Sequence, residues 1–268
     1  MPHARKTGTA WDRKKEDYAY TRDLEGTGWA WEFLRRSEIY RGDFRCHGTC
    51  ERIVTQHNSD TTLYRLSERC VAAESWGLML LSDPDKTALE QDLFWLPEVA
   101  TFTAKCTLRP ADDAASGTFS LKCLKGHTAV LLSESSEIVT VRASRLSACI
   151  NVVSGSILSG NSAVTFFHEG FNTLSRHFET LTILRLLMAE TSNANVSSAI
   201  SESKYLTYLI ALDGHLEGRS YREIAEVLFG KDCVGTHWTD DTRWMKSRVR
   251  RAVERGIALM NGGYRDLL

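Results

Sequence analysis

Apolar residues recur at helical spacing at both ends of the chain and alternate with polar residues in its middle. Near the N-terminus this spacing predicts a helix over residues 28–40, because apolar positions three and four apart share one helical face. The residues of that face are Trp29, Trp31, Phe33 and Leu34. Arg35 and Arg36 are expected on the solvent side. Aromatic rings beside arginines can stack on nucleic-acid bases, but we interpret this face as a core or a subunit contact.

Short elements of both kinds are predicted before and within the middle of the chain. Residues 63–73 are typical of a helix, residues 76–81 of a strand, and residues 93–97 of an edge strand or extended segment stopped by proline. Alternating or β-branched runs then follow at residues 106–108, 118–124, 128–132, 137–141, 148–153 and 163–167. Residues 134–136 predict a hairpin. We therefore expect an antiparallel sheet built of meanders.

Helical spacing returns over residues 172–190, and a small, polar stretch at 191–198 predicts a linker. A further helix is expected over residues 202–212, ended by Asp213 and Gly214. The predicted fold class is α+β. Residues 1–190 would form a helical and antiparallel β-rich N-terminal domain for assembly and regulation, and residues 191–268 an all-α, helix-turn-helix C-terminal domain.

Two helices near the C-terminus have the pattern of a helix-turn-helix. Ser220 and Glu223 have the spacing of a capping box, in which each side chain bonds the other residue's backbone N–H. Gly230 suits the position after that helix, and Asp241 and Thr242 suit the start of a second one. The apolar face of the first helix consists of Ile224, Ala225 and Leu228. The segment between the helices is longer than a simple turn and predicts an extra helical turn over residues 233–238.

The second helix is predicted to be apolar on one side and cationic on the other. Its core side is centred on Val249 and consists of Met245, Val249, Ala252, Val253, Gly256 and Met260. Its opposite side and flanks consist of Arg243, Trp244, Lys246, Ser247, Arg248, Arg250, Arg251 and Arg255. A solvated surface is the alternative interpretation. The local excess of cations in a nearly neutral chain favours DNA, because arginine and lysine in the first turns of such a helix reach guanine edges and phosphates. Arg222 of the first helix is a further candidate contact.

A family resemblance rests on these segments. The run YREIAEVL followed by WMKSRVRRA is similar to the helix-turn-helix of sigma-factor region 4. The longer runs DGHLEGRSYREIAEVLFG and KSRVRRAVERGIALMNGGYRDLL resemble the DUF2285 family of bacterial DNA-binding proteins. GWAWEFLRRSEIYRGDF and DLFWLPEV resemble the segment that precedes that domain in longer members. Together they resemble the excision activators (FseA type) of integrative and conjugative elements.

The resemblance implies a transcriptional activator that binds promoter DNA, recruits RNA polymerase and controls genes for excision and conjugative transfer. Small relatives of the family act as antiactivators, so a protein-interaction module that binds a related regulator is the alternative. An RNA-binding or architectural protein is a third. We also expect a homo-oligomer, because helix-turn-helix modules usually pair across half-sites, and an antiactivator would dock on the N-terminal part. That part holds Trp11, Trp29, Trp31, Trp76 and Trp95, and aromatic residues are enriched in protein interfaces.

Charge and hydropathy exclude several classes of protein. The net charge of −1 excludes a protein that coats nucleic acid through bulk charge, so any DNA contact must be a local patch. The chain has no run of eighteen apolar residues and no apolar stretch typical of a secretion signal. We therefore expect a cytoplasmic protein without a membrane contact.

Candidate chemistry is sparse in this sequence. Cys46, His47 and Cys50 form the one tight cluster, and His57 and Cys70 are too loosely spaced to complete a typical zinc site. We therefore predict reduced cysteines and neither metal nor cofactor. Phosphate-loop, zinc-protease and hydrolase motifs are absent from the sequence. His168, Glu169 and His177 show no acid–base partner at usable spacing, so we do not expect an enzyme.

Overall fold

The computed structural model describes residues 13–48, 52–111, 118–134, 136–143, 146–171, 173–189, 199–238 and 243–268. Its helices are α1 (Gly26–Leu34), α2 (Glu38–His47), α3 (Val71–Glu74), α4 (Leu174–Met188), α5 (Ala199–Leu216), α6 (Tyr221–Phe229), α7 (Lys231–His237) and α8 (Arg243–Met260). Its strands are β1 (Arg52–Gln56), β2 (Thr61–Leu66), β3 (Thr103–Pro110), β4 (His127–Leu132), β5 (Glu137–Ala143), β6 (Leu146–Ser154) and β7 (Ser162–Phe167). The fold class is α+β, as predicted.

The strands form one seven-stranded sheet in the order β1-β2-β4-β5-β6-β3-β7. The prediction of a purely antiparallel sheet is wrong, because β2 pairs with β4 and β3 pairs with β6 in parallel. β4, β5 and β6 form the expected meander. The predicted hairpin connects β4 to β5, with residue 135 outside the described residues. Parallel partners require a crossover connection. Here the chain passes through α3 and β3 between β2 and β4, and through β4 and β5 between β3 and β6.

Three of the predicted elements have a different conformation in the structure. Residues 63–73 contain the end of β2 and the first three residues of the short helix α3 instead of one helix. Residues 76–81 form a turn and bends, with an isolated bridge between Leu78 and Trp95, instead of a strand. Residues 118–124 contain a 3₁₀ turn, Leu121–Cys123. The apolar segment 93–97 is extended and packs on the core, as one of its two interpretations predicted, since Phe94 and Trp95 are buried.

Both faces of the sheet are covered. Leu184 and Leu187 of α4 pack on one face together with Cys106 of β3 and Ile150 of β6. Leu80 and Phe94, from the part of the chain between α3 and β3, pack on the opposite face with Leu131 and Ile138. None of the helices among the described residues is both long and apolar enough to cross a membrane.

The helix predicted over residues 28–40 is broken into α1 and α2. Ser37 caps α2, since its hydroxyl accepts a hydrogen bond from the Tyr40 backbone N–H at 3.4 Å, and serine at this position favours a new helix start. The aromatic face of α1 is core, as predicted: Trp31 and Phe33 are fully buried. The four N-terminal tryptophans that the structure describes lie in or against the protein's own core, so they no longer support an assembly surface. Trp11 lies outside the described residues.

The first hundred residues and the C-terminal helices share one hydrophobic core. That core contains Trp29 and Leu34 of α1, Leu209 and Leu212 of α5, and Val249 of α8. The chain end contributes as well, because Thr101 donates its backbone N–H to the carbonyl of the C-terminal residue at 2.8 Å. The predicted division into two domains after residue 190 remains a proposal. The predicted linker, residues 191–198, lies outside the described residues.

A buried ion network joins α1 to α5. The Arg36 guanidinium lies 2.5 Å from the Asp213 carboxylate and 2.9 Å from that of Glu32. Tyr18 donates its hydroxyl to Asp213 at 2.9 Å. Burial alone would raise the pKa of each carboxyl, but the adjacent arginines hold both pKa values below the ordinary range. The prediction that Arg36 faces solvent is therefore wrong, and so is the prediction that Asp213 ends its helix, because α5 continues to Leu216.

Candidate nucleic-acid interface

The helix that supports the candidate interface begins with the predicted capping box. Ser220 accepts a hydrogen bond from the Glu223 backbone N–H at 3.3 Å, and the Glu223 carboxylate accepts one from the Ser220 N–H at 2.8 Å. The Ser220 hydroxyl also donates to this carboxylate at 2.7 Å. The two hydrogen bonds that the carboxylate accepts from Ser220 lower the pKa of Glu223, because both favour its charged form. Two otherwise unpaired N–H groups at the start of α6 are thereby satisfied.

The connection from α6 to α8 contains the extra helical turn expected from the sequence. Gly230 ends α6 with a φ of 91°, a left-handed conformation that favours glycine, and α7 begins at the next residue. Val234 of α7 is fully buried. The predicted helix start at Asp241 and Thr242 lies outside the described residues, and α8 is described from Arg243 onward.

The apolar side of α8 is the predicted one. Met245 and Val249 are fully buried, as is Ile224 of α6, while Ala252 and Val253 are nearly so. Gly256 also belongs to this side. A Cβ atom there would lie 2.7 Å from the Tyr208 carbonyl oxygen of α5. The register drawn from the sequence is therefore confirmed, and it turns the cationic side of α8 away from the core.

The predicted site residues lie on the outer side of α8. Trp244, Arg248, Arg250, Arg251 and Arg255 are exposed, whereas Lys246 and Ser247 are half-buried. The side chain of Arg243 lies outside the part of the chain that the structure describes. The arrangement is a row of cations on one helical side, with the buried seam directly opposite.

Aromatic rings lie beside two of these cations, a contact that the residue spacing did not predict. The Arg248 guanidinium stands 5.6 Å from the centroid of Phe229, and the Lys246 ammonium stands 5.6 Å from that of Trp238. Trp244 meets Phe229 edge to face at 5.9 Å. Cation–π attraction restricts such side chains to part of their rotamer space. Phe229 is the last residue of α6, and Trp238 directly follows α7. Aromatic residues at these two helix ends were the signal in the sequence from which the contacts could have been predicted.

Three further candidate cations have contacts along their own helices. Arg250 lies 3.8 Å from Glu254, and Arg251 donates its Nε–H to the Ser247 carbonyl at 3.3 Å. Arg222 of α6 pairs with Glu226 at 3.5 Å. Exposed pairs of this kind contribute little energy, so a phosphate can replace the carboxylate at small cost.

The structure also shows where the candidate acid–base and metal-binding residues lie. The structure brings the rings of His168 and His177 to a centroid distance of 4.7 Å, although sequence spacing gave His168 no partner. Burial, and next the neighbouring His168, lower the pKa of His177. Glu169 pairs with Lys105 at 3.2 Å. Cys46 is exposed, Cys50 lies outside the described residues, and within those residues no three histidine, cysteine or acidic side chains are grouped to hold a metal ion.

Comparison with known proteins adds two family matches. Residues 171–268 match a family described as "T6SS, Transcription factor, DNA binding domain", which includes α4 to α8 and the whole cationic helix. Residues 11–79 match a family described as "Proteobacterial transcriptional regulator-like domain", which includes α1 and α2. No curated protein sequence matches the chain. Both families are regulators or DNA-binding domains and neither is a family of enzymes. Together the two matches support a DNA-binding transcriptional regulator.

Proposed function

We propose that the protein is a transcriptional activator that binds double-stranded promoter DNA in a sequence-specific manner through α8. The observation that carries this proposal is the orientation of α8: Met245 and Val249 are buried against the core, and the arginines opposite them are exposed. A helix seated in this way can enter a major groove without losing its packing. The proposal assigns the protein no catalytic reaction and no cofactor, and a regulator of this kind works in the cytoplasm beside the chromosome.

The target genes follow from the family resemblance. The similarity to DUF2285 proteins and to excision activators leads us to propose promoters that control excision and conjugative transfer of a mobile element, with RNA polymerase as the recruited partner. The family matched by residues 171–268 is described instead as a T6SS transcription factor. A DNA footprint across genomic promoters distinguishes these targets, because it identifies the bound sequence directly.

The test of the interface is DNA binding by single arginine variants. Arg250→Ala and Arg251→Ala are each expected to weaken binding by about 1–3 kcal/mol if the residue contacts a base. If the residue contacts a phosphate, its replacement should instead make the negative slope of log K against log salt less steep by about one unit. Fluorescence anisotropy at several salt concentrations measures both. Arg185→Ala is the matched control, since Arg185 is an exposed helical arginine on α4.

Two outcomes would contradict the proposal. If both α8 variants are folded and bind like the wild type, α8 is not the DNA-binding element. If the wild type binds promoter DNA no better than competitor DNA but captures a related regulator, the antiactivator-like alternative is correct. Affinity that is indifferent to sequence would favour an architectural or RNA-binding role.

We also propose that two or more copies bind together. A single helix-turn-helix covers part of one face of the duplex, and pairing across half-sites about one helical turn apart gives affinity and specificity. In this proposal the antiactivator docks on the N-terminal part. Light scattering with and without the footprinted DNA tests the assembly. A protein that remains monomeric at micromolar concentration in both conditions would contradict it.

A further inference from the structure

The first turn of α8 exposes a large apolar side chain. Trp244 is 51% exposed, whereas the other tryptophans that the structure describes are buried or half-buried. Single apolar side chains on a protein surface are common and indicate no function by themselves. What Trp244 can bind must therefore follow from its location and from the contacts of its ring.

Trp244 stands at the N-terminal end of a stripe of exposed side chains. Arg248, Arg251 and Arg255 follow it at intervals of four, three and four residues and are exposed as well, so the four side chains lie on one side of α8. Val249 is fully buried on the other side. The second helix of a helix-turn-helix contacts base edges with its N-terminal residues, and Trp244 occupies that end of the stripe.

The Trp244 ring is held by a residue of another helix. Its centroid lies 5.9 Å from that of Phe229, and the two ring planes are inclined by 60°. The Arg248 guanidinium stands 5.6 Å from the centroid of the same Phe229 ring, so Phe229 supports both side chains. Phe229 is half-buried at the end of α6. An aromatic side chain has two rotatable angles, and one that is restricted in this way loses little conformational freedom when it binds.

The major groove of DNA offers one apolar partner for such a ring. Base edges there present hydrogen-bond donors and acceptors, and the apolar group among them is the C5-methyl group of thymine. The Trp244 side chain is likewise apolar apart from its single indole N–H donor. Packing the indole ring on a thymine methyl group removes apolar surface of both groups from water. The arginines of the stripe suit guanine edges or phosphates instead.

We propose that Trp244 determines sequence specificity by packing its indole ring on the C5-methyl group of a thymine in the bound DNA. Trp244 can do so only if α8 lies in the major groove, so this role rests on the proposed function. Two other contacts are open to an exposed indole: its N–H can donate to a phosphate, and its ring can pack on a partner protein. Neither contact depends on the thymine methyl group.

The test removes single methyl groups from the DNA. Duplexes of the footprinted site carry deoxyuridine in place of one thymine at a time, which deletes the methyl group and preserves base pairing. Fluorescence anisotropy is measured at a salt concentration at which every variant binds. For the wild type, one deoxyuridine duplex is expected to bind about fourfold more weakly than the parent duplex, the contribution of one buried methyl group. Trp244→Ala should bind the parent duplex at least about fourfold more weakly and should show no further loss with that deoxyuridine.

Two further variants distinguish the possible contacts of the ring. Trp244→Phe keeps an apolar ring without the N–H, so it should retain the loss that deoxyuridine causes. Phe178→Ala removes an exposed aromatic ring of α4 and should bind both duplexes like the wild type. Each protein variant and each deoxyuridine together form a double-mutant cycle, which measures the coupling between Trp244 and the methyl group separately from effects elsewhere.

The proposal is overturned if the wild type binds the site and no deoxyuridine weakens binding, or if Trp244→Ala keeps the full loss at every such position. If Trp244→Phe binds as weakly as Trp244→Ala and deoxyuridine has no effect, the indole N–H contacts a phosphate and the proposal is wrong. A wild type that does not bind duplex DNA at all would contradict the proposed function itself, and the role of Trp244 with it.

Discussion

Gly256→Ala gives a sharp test of the packing that seats the cationic helix. Gly256 lies in the fourth turn of α8, where that helix packs on α5. A Cβ atom would lie 2.7 Å from the Tyr208 carbonyl oxygen and 2.9 Å from the Leu212 Cβ atom. Both are atoms of the α5 backbone or its first side-chain position, so neither can move without moving the helix.

Two opposing effects set the magnitude. Alanine in place of glycine inside a helix is ordinarily favourable by about 1 kcal/mol. Inserting a methyl group into a closely packed contact costs about 1–3 kcal/mol. The net loss at Gly256 is therefore expected to be about 1 kcal/mol, the midpoint of a range from zero to 2.

Gly235→Ala provides the matched control, because Gly235 is also helical and, apart from its chain neighbours and its own helix backbone, no atom lies within 4 Å of its ideal Cβ position. This variant should be stabilised by about 1 kcal/mol. The free energies of unfolding in guanidinium chloride, followed by tryptophan fluorescence, should then differ between the two variants by about 1–3 kcal/mol, which is the cost of the contact alone. Equal stabilisation of both variants would show that α5 and α8 do not approach as closely as described.

Two further predictions concern the buried network and the helix seam. Arg36→Met leaves two buried carboxylates without their shared cation and should cost about 3–5 kcal/mol of unfolding free energy, whereas Arg45→Met, at an exposed position of α2, should cost little. Because the pKa values of these carboxyls in the folded protein lie below the ordinary 3.8 and 4.5, their stabilisation is present at neutral pH and is lost as the pH falls through and below those values. Wild-type stability should therefore fall steeply with acid there, and an equally steep fall in Arg36→Met would contradict the assignment. Val249→Asp buries a charge and should cost several kcal/mol, measured by thermal unfolding of the full chain. Val153→Asp on the exposed part of β6 is its control. An unchanged melting temperature for Val249→Asp would refute the buried packing of Val249 against the core.

The candidate interface was the most predictable part of the molecule, because its signals are local. The capping box at Ser220, the glycine at the end of α6 and the apolar side of α8 all depend on residues within a few turns of one another. The positions of Phe229 and Trp238 beneath Arg248 and Lys246 were not predicted. Those contacts depend on how α6, α7 and α8 pack, which spacing along one helix does not determine.

The sheet and the ion network were missed for a related physical reason. Alternation along β3 shows which of its residues are buried, but it contains no information on whether the neighbouring strand runs parallel or antiparallel. Arg36 was assigned to solvent because a charged residue is rarely buried without a partner. Its partner Asp213 is distant in sequence, and the two carboxyls that make burial tolerable come from different helices. Only the tertiary structure shows that pairing.

The ion network between α1 and α5 also bears on how such regulators can be recombined. Arg36 lies in the segment that matches one family and Asp213 in the segment that matches another. A chimera that exchanged the C-terminal segment for one with a neutral residue at that position would remove one of the two carboxylates that pair with the buried Arg36. Exchange of these segments between relatives should therefore succeed when Arg36 and Asp213 are both kept or both replaced. The identity of this pair thus predicts which two segments are compatible, in evolution or in engineering.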